Sequence, residues 1–316
     1  MIDYKVVTLF YIFRNNFTIS RRRHNQKIIT IQQSSHIRHL LELHIGLLCI
    51  STSGALGRYV ELPPPLTIWW RALFALFFLG VYCYYRKFSF RFDFRKKGGI
   101  ILGTGVLMML HWVLYFYALQ WSNVAVGMLS LMTFPAMTAL LEPLILKTPF
   151  QKIQLLLAGL VLLGIYFLVP NFDMENSITL GLIMGLLSAF CYSIRNILLK
   201  TQVDSVHGSV IMFYQILITL GCLIPVFGIY ETEGVVTYLP FLILLGLVTT
   251  AIGHTLFLNS FKHFSVSTAS LVGSIQPIYG VLIAILFLGE YPTWQSVIGG
   301  ILILSTVIIE SMRSSD

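Results

Sequence analysis

Ten stretches of the chain stay apolar for long enough to cross a bilayer, with short polar breaks between them. They fall at about 43–60, 66–85, 98–119, 124–146, 153–169, 178–199, 209–230, 238–260, 266–288 and 293–311. A hydrocarbon core of about 30 Å takes about 20 helical residues to span. Lipid cannot hydrogen-bond to a backbone, so spans of this length are predicted to be helices, and the lack of short alternating segments argues against a barrel. Composition agrees. With 56% hydrophobic and 11% charged residues, the 316-residue chain has too little polar surface to enclose a water-soluble body.

Displaced by 142 residues, the pattern falls back on itself. Cys49 meets Cys191, Ser51 meets Ser193, Leu114 meets Leu256, Leu129 meets Leu271, Pro135 meets Pro277 and Leu146 meets Leu288. Arg58 meets Lys200, and beyond Leu146 a slip of one residue sets Gln154 on Gln295 and Gly159 on Gly300. The chain reads as a tandem duplication. Each copy holds five spans, an odd number, so the second copy enters the membrane from the opposite side. Inverted repeats of this kind build secondary transporters, whose sites lie near mid-bilayer between the halves. The predicted fold class is therefore an all-α membrane protein with ten transmembrane helices in two five-helix inverted-topology repeats. Residues 1–42 form a basic cytoplasmic tail read as disordered, 43–170 the first repeat and 178–312 the second.

Net charge is +8, but its distribution marks topology and not nucleic-acid binding. Residues 1–42 carry Lys5, Arg14, Arg21, Arg22, Arg23, Lys27 and Arg38, and the second-to-third loop carries Arg86, Lys87, Arg91, Arg95, Lys96 and Lys97. Glu61, Asp173, Glu175, Glu231, Glu233 and Glu290 fall in the odd-numbered loops, where Arg58 is the lone basic residue. The positive-inside rule then puts both termini in the cytoplasm, with the protein in the plasma (cytoplasmic) membrane. Cys49, Cys83, Cys191 and Cys222 all lie in spans without metal-ligand spacing, so neither a metal site nor a disulfide is expected.

The end of the second copy runs from Pro277 through Leu288-Gly289-Glu290-Tyr291-Pro292-Thr293-Trp294-Gln295 to Gly299-Gly300. It resembles the closing motif of EamA-type transporters of the drug/metabolite transporter superfamily. The first copy repeats it more weakly in Pro135, Leu146, Gln154 and Gly159, with Thr148 in the place of Glu290. The resemblance covers about residues 43–311 and implies a ten-helix, inverted-repeat carrier for small organic solutes, often exporting amino acids or other metabolites.

Polar residues inside spans are costly and therefore informative. Pro135 and Pro277 sit near the centres of the fourth and ninth spans and leave the carbonyls of Leu131 and Gly273 without a helical donor, as kinks, hinges or cavity walls. His111, Trp112 and Tyr115 share mid-depth on the third span, and His254 stands on the eighth. Each histidine is read either as bonding a neighbouring helix or as a cargo ligand. Arg71, next to Trp69 and Trp70, either snorkels to headgroups or turns inward to hold a carboxylate. Glu142 is read as the partner of Arg195 or as a coupling carboxylate. Ser51, Tyr192, Ser193 and Gln276 complete the expected substrate-binding lining. Gly99 with Gly103, and Gly181 with Gly185, are expected at helix contacts.

No phosphate loop and no nucleotide-sized domain are present, so a carrier would run on a gradient, without a cofactor. The expected partners are a small-molecule substrate and the bilayer, with homodimerisation open. Two other classes remain. A gated pore is not separable by sequence. An intramembrane enzyme would need His111 or His254 within about 3 Å of a serine such as Ser130 or Ser274, and no catalytic residue is assigned.

Overall fold

A computed structural model of the protein describes residues 37–90, 94–147, 149–150, 152–169, 172–200, 207–260, 263–264 and 272–313. Among these the secondary structure is helical throughout, without strands. The helices are α1 (Ile37–Tyr59), α2 (Pro64–Tyr85), α3 (Phe94–Trp121), α4 (Val124–Leu131), α5 (Phe134–Leu146), α6 (Ile153–Leu168), α7 (Ser177–Lys200) and α8 (Gly208–Cys222). They continue as α9 (Val235–Leu244), a π-helical segment (Leu245–His254), α10 (Thr255–Ser260), α11 (Gln276–Leu288) and α12 (Trp294–Arg313). Seven helices are long and apolar enough to cross a membrane, and Ile153–Leu168, Gln276–Leu288 and Trp294–Ile309 are shorter apolar helices. Side chains such as Phe77, Leu162, Leu286 and Phe287 point outward, as a lipid-facing surface requires. This is a multi-pass integral membrane protein.

Most of the basic tail lies outside the described residues. Its last part does not, because α1 already begins at Ile37, where Arg38 Nε donates to Glu42 Oε1 one turn on at 3.0 Å. The seventh span is shorter than expected as an α-helix. Pro225 follows the end of α8, and the chain continues in a 3₁₀ turn, Ile224–Gly228.

The two prolines do more than kink their spans. After α4 the chain turns at Met132 and Thr133 and restarts as α5, with Pro135 in the first turn. Ser274 and Ile275 turn likewise before α11, with Pro277 in its first turn. A missing N–H costs nothing at that position, so each proline marks a restart. The first break is braced by hydroxyls: Thr133 Oγ1 donates to Ser130 O at 2.7 Å, and Ser193 Oγ donates to Phe134 O at 2.9 Å.

The L-G-E motif acquires a geometric reason. Gly289 ends α11 in the left-handed region (φ 66°), which favours glycine. Lys147, its counterpart at the 142-residue displacement, ends α5 in the same region (φ 55°). The turn carries Glu290 to the start of α4, where Oε2 accepts the Val124 N–H at 3.0 Å. Glu290 Oε1 accepts Arg58 Nε at 2.8 Å, and Arg58 Nη1 also reaches Gln120 O at 2.7 Å. One carboxylate thus ties α1, α4 and the α11–α12 turn, beside a crevice of about 160 Å³.

Helices from the two ends of the chain interleave. α3 packs along α7 and α8, α2 lies against the π segment and α8, and α6 packs on α12. Small residues permit the closest approaches. Gly46 and Gly253 bring α1 and the π segment within backbone contact, Gly164 and Gly299 do so for α6 and α12, and Gly185 on α7 faces Ser130. Gly99 and Gly103 have open space before them, so the expected contact there is absent among the described residues.

These contrasts set an expectation. A Cβ at Gly185 would overlap the Ser130 side chain, so Gly185→Val should destabilise by about 1–3 kcal/mol, whereas Gly103→Val should leave thermal stability nearly unchanged; equal melting points for the two variants would refute the packing assignment. For the clamp, a double-mutant cycle of Arg58→Met and Glu290→Gln should give a coupling of about 1 kcal/mol, held down by the pair's partial exposure. Strict additivity would mean that the pair contributes nothing.

Candidate functional site

Arg71 settles the orientation of α2. It is 2% exposed, with its guanidinium carbon 4.5 Å above the centre of the Trp112 ring and 5.6 Å from that of Phe116. The snorkelling alternative is therefore wrong: the charge turns into the protein. Nε donates to Thr250 Oγ1 at 2.9 Å, and among the described residues Nη1 and Nη2 have no hydrogen-bond partner. Gly246, one turn before Thr250, permits this approach, because the α2 backbone at Arg71 and Ala75 lies where its Cβ would be.

The π segment shapes the opposite wall. Thr249 Oγ1 and Thr250 Oγ1 both donate to Leu245 O, at 2.5 and 3.1 Å, inside a wider helical turn. Wider turns of this kind recur at functional sites. At its end His254 faces Trp112, ring centres 6.5 Å apart, and it lies within electrostatic reach of both Arg71 and Arg195.

α7 supplies the third wall through Ser188, Tyr192 and Arg195, spaced i, i+4 and i+7 along one face. His111 Nδ1 bonds Ser188 Oγ at 2.8 Å, and the His111 ring stacks on Tyr192 at 4.5 Å. The Arg195 guanidinium carbon lies 5.5 Å from the centre of the Tyr192 ring. Its Nη1 donates to Asn196 Oδ1 at 2.9 Å and its Nη2 to Gln215 Oε1 at 2.6 Å. Among the described residues no ion pair joins Arg195 to Glu142, the expected partner. Arg195 Nε and Gln215 Nε2 are enclosed and without an acceptor. Tyr115, 4% exposed, stands one turn from His111, their ring centres 6.3 Å apart.

The structure thus brings together Arg71, His111, Trp112, Tyr115, Tyr192 and His254 of the expected lining. It leaves others apart. Ser51 is buried with Oγ donating to Leu47 O at 2.7 Å, and Ser193 is spent bracing the α4–α5 break while also donating to Ala189 O at 2.8 Å. Gln276 opens α11 half-buried, and its amide has no partner among the described residues. Sequence reasoning missed Arg195, Ser188 and Thr250 as site residues. The i, i+4, i+7 row on α7 was the available signal for the first two; Thr250 carried none.

His111 and Ser188 lie within the separation that an intramembrane hydrolase would need, so their chemistry decides the point. Ser188 Oγ also lies 2.8 Å from His111 O and donates its one proton there. It can then only accept from His111 Nδ1–H, which leaves the imidazole as a donor instead of a base toward this hydroxyl. The contact ties α3 to α7.

Polar groups gathered among apolar spans are an arrangement that membrane transporters require. The chain matches the EamA-like transporter family over residues 40–169 and again over 179–312, and belongs to that family. It is 30% identical over 217 residues to an uncharacterized transporter of Archaeoglobus fulgidus, covering 69% of this chain and 78% of that one. A second uncharacterized transporter, from Synechocystis, is 24% identical over 213 residues, 66% of this chain and 65% of the relative. A solved crystal structure shares the fold with a TM-score of 0.62 at 16% identity, over 88% of this chain and 98% of that one.

An unpaired buried charge is destabilising, and replacing it by an apolar side chain of similar volume relieves the cost. Arg71→Met should therefore raise the melting temperature of the purified protein by a few degrees. A fall would show that the guanidinium is a structural element of the fold.

Proposed function

We propose that the protein carries a small organic metabolite, an amino acid or related solute, out of the cell by alternating access, driven by a gradient. In this proposal ten crossings form two inverted five-helix repeats in the plasma membrane, with both termini in the cytoplasm. The observation that carries it is the convergence of polar side chains, buried in the first copy and half-buried in the second, around α3 and α7. Arg71, His111 and Tyr115 come from the first copy; Tyr192, Arg195 and His254 from the second.

Internal symmetry supports the two-repeat arrangement. The contact of His111 with Ser188 has its counterpart, displaced by 142 residues, in the contact of Gly253 with Gly46. Trp112 and His254 are counterparts of each other and face across 6.5 Å, so a twofold relating the copies would pass between them. The paired restarts at Pro135 and Pro277 fit the discontinuous helices on which secondary transporters build their sites. Alternate exposure of the central region then needs one mouth closed at a time, and the Arg58–Glu290–Val124 clamp would close the outer one.

The proposal is tested by reconstitution in liposomes. A thermal-shift screen of amino acids, purines and aromatic metabolites selects a solute that stabilises the protein, and counterflow of that solute is then measured. Saturable exchange is expected, with apparent affinity altered by His111→Ala or Gln276→Ala in protein that still inserts. Unsaturable conduction would make it a pore instead, and unchanged exchange by both variants would remove these residues from the site.

A further inference from the structure

We infer that Arg195 and Gln215 form the binding site of a small inorganic anion, of the halide class to which chloride belongs, lodged between α7 and α8. The ion is a resident of the fold and not its cargo, so the inference is independent of what the protein carries.

Arg195 stands in the last part of α7 and Gln215 in the middle of α8, and their side chains meet directly, with Arg195 Nη2 donating to Gln215 Oε1 at 2.6 Å. That contact orients both groups. The amide oxygen must face the guanidinium, since the reverse would set donor against donor, so Nε2 takes the other arm of the amide. Gln215 is 0% exposed, and its Nε2 has no acceptor. Arg195 Nε is enclosed and lacks an acceptor as well. Each of these nitrogens shares a carbon with one end of the 2.6 Å bond, so the two unmet donors belong to one place.

Charge asks for the same element. Arg195 Nη1 donates to Asn196 Oδ1 at 2.9 Å, so both acceptors of this guanidinium are neutral amides. The ion pairs among the described residues, Arg38–Glu42, His39–Glu42 and Arg58–Glu290, do not include Arg195. The Tyr192 ring, 5.5 Å from the guanidinium carbon, offsets only part of the charge. A cation within a membrane span is costly without a partner, and an acceptor that is also negative would supply one.

The donors select its shape. A planar carboxylate is matched to paired N–H groups of a single guanidinium. Here Nη1 and Nη2 already donate to amide oxygens, and the unmet donors sit on two different side chains. A spherical ion accepts from several directions and needs no fork. Water would meet the same donors but leave the charge unpaired. Arg195 itself is half-buried, so the site is not sealed.

The test melts the purified full-length protein in sodium chloride, sodium bromide and sodium gluconate at one ionic strength. Both halides should raise the melting temperature above that in gluconate by a few degrees, reaching saturation as halide replaces gluconate. Gln215→Glu sets a carboxylate against the guanidinium, so this variant should melt higher than wild type in gluconate and no longer respond to halide. Arg195→Gln should likewise lose the halide response. The wild-type titration and Gln215→Glu decide the matter even where Arg195→Gln fails to fold. Equal melting in the three salts, a halide effect that never saturates, or a full halide response in Gln215→Glu would overturn the inference and leave the donors to water.

Discussion

Inside a bilayer no water is at hand to satisfy a stray polar group, and that constraint orders this structure more than any single contact does. It explains why the membrane-spanning segments among the described residues are helical, why Pro135 and Pro277 stand in the first turns of α5 and α11, and why the hydroxyls of Thr133 and Ser193 gather around the first break. Ser51, Thr104, Thr219 and Thr306 follow the same rule by returning their protons to backbone carbonyls of their own helices. Against that background the indole nitrogens of Trp69 and Trp70, Arg195 Nε and Gln215 Nε2 stand as exceptions among the described residues, and Arg195 and Gln215 adjoin each other.

Duplication supplies the frame, and departure from it supplies the chemistry. Both copies break at a proline and close a helix in the left-handed region, at Lys147 and Gly289. Yet the stretch of α3 that corresponds to the π segment is an ordinary helix, and Trp112 stands where the second copy has His254. Where one contact between the copies sets Ser188 against the His111 carbonyl, its counterpart has only the bare backbones of Gly46 and Gly253. Two similar halves thus present unlike side chains to a shared interior, so a solute lodged there would meet a cation over an indole on one side and a stacked imidazole on the other.

Much of this was legible in the residues. The all-helical, membrane-spanning character and the restarts at both prolines followed from hydropathy and from the 142-residue register. What escaped was direction. α2 and α7 are apolar around much of their circumference, so periodicity does not say which face turns inward. Arg71 beside two tryptophans looked like an interfacial residue because depth was readable and azimuth was not. Arg195 was paired on paper with Glu142 for the same reason, whereas packing of α7 on α3 turns it toward Tyr192 and Gln215. The π segment could not be foreseen, since it depends on two threonines sharing the Leu245 carbonyl and on Gly246 meeting α2.

The Glu290 clamp has a further consequence. Its counterpart position is Thr148, and the counterpart of Arg58 is Lys200, so the corresponding turn of the first copy cannot form the same ion pair. In the proposed alternating-access cycle a molecule of two similar halves would rest in a preferred pose, weighted toward the end that carries the acid. That bias would reside in one peripheral side chain, so selection could retune how long each mouth stays shut without disturbing any group that would touch cargo.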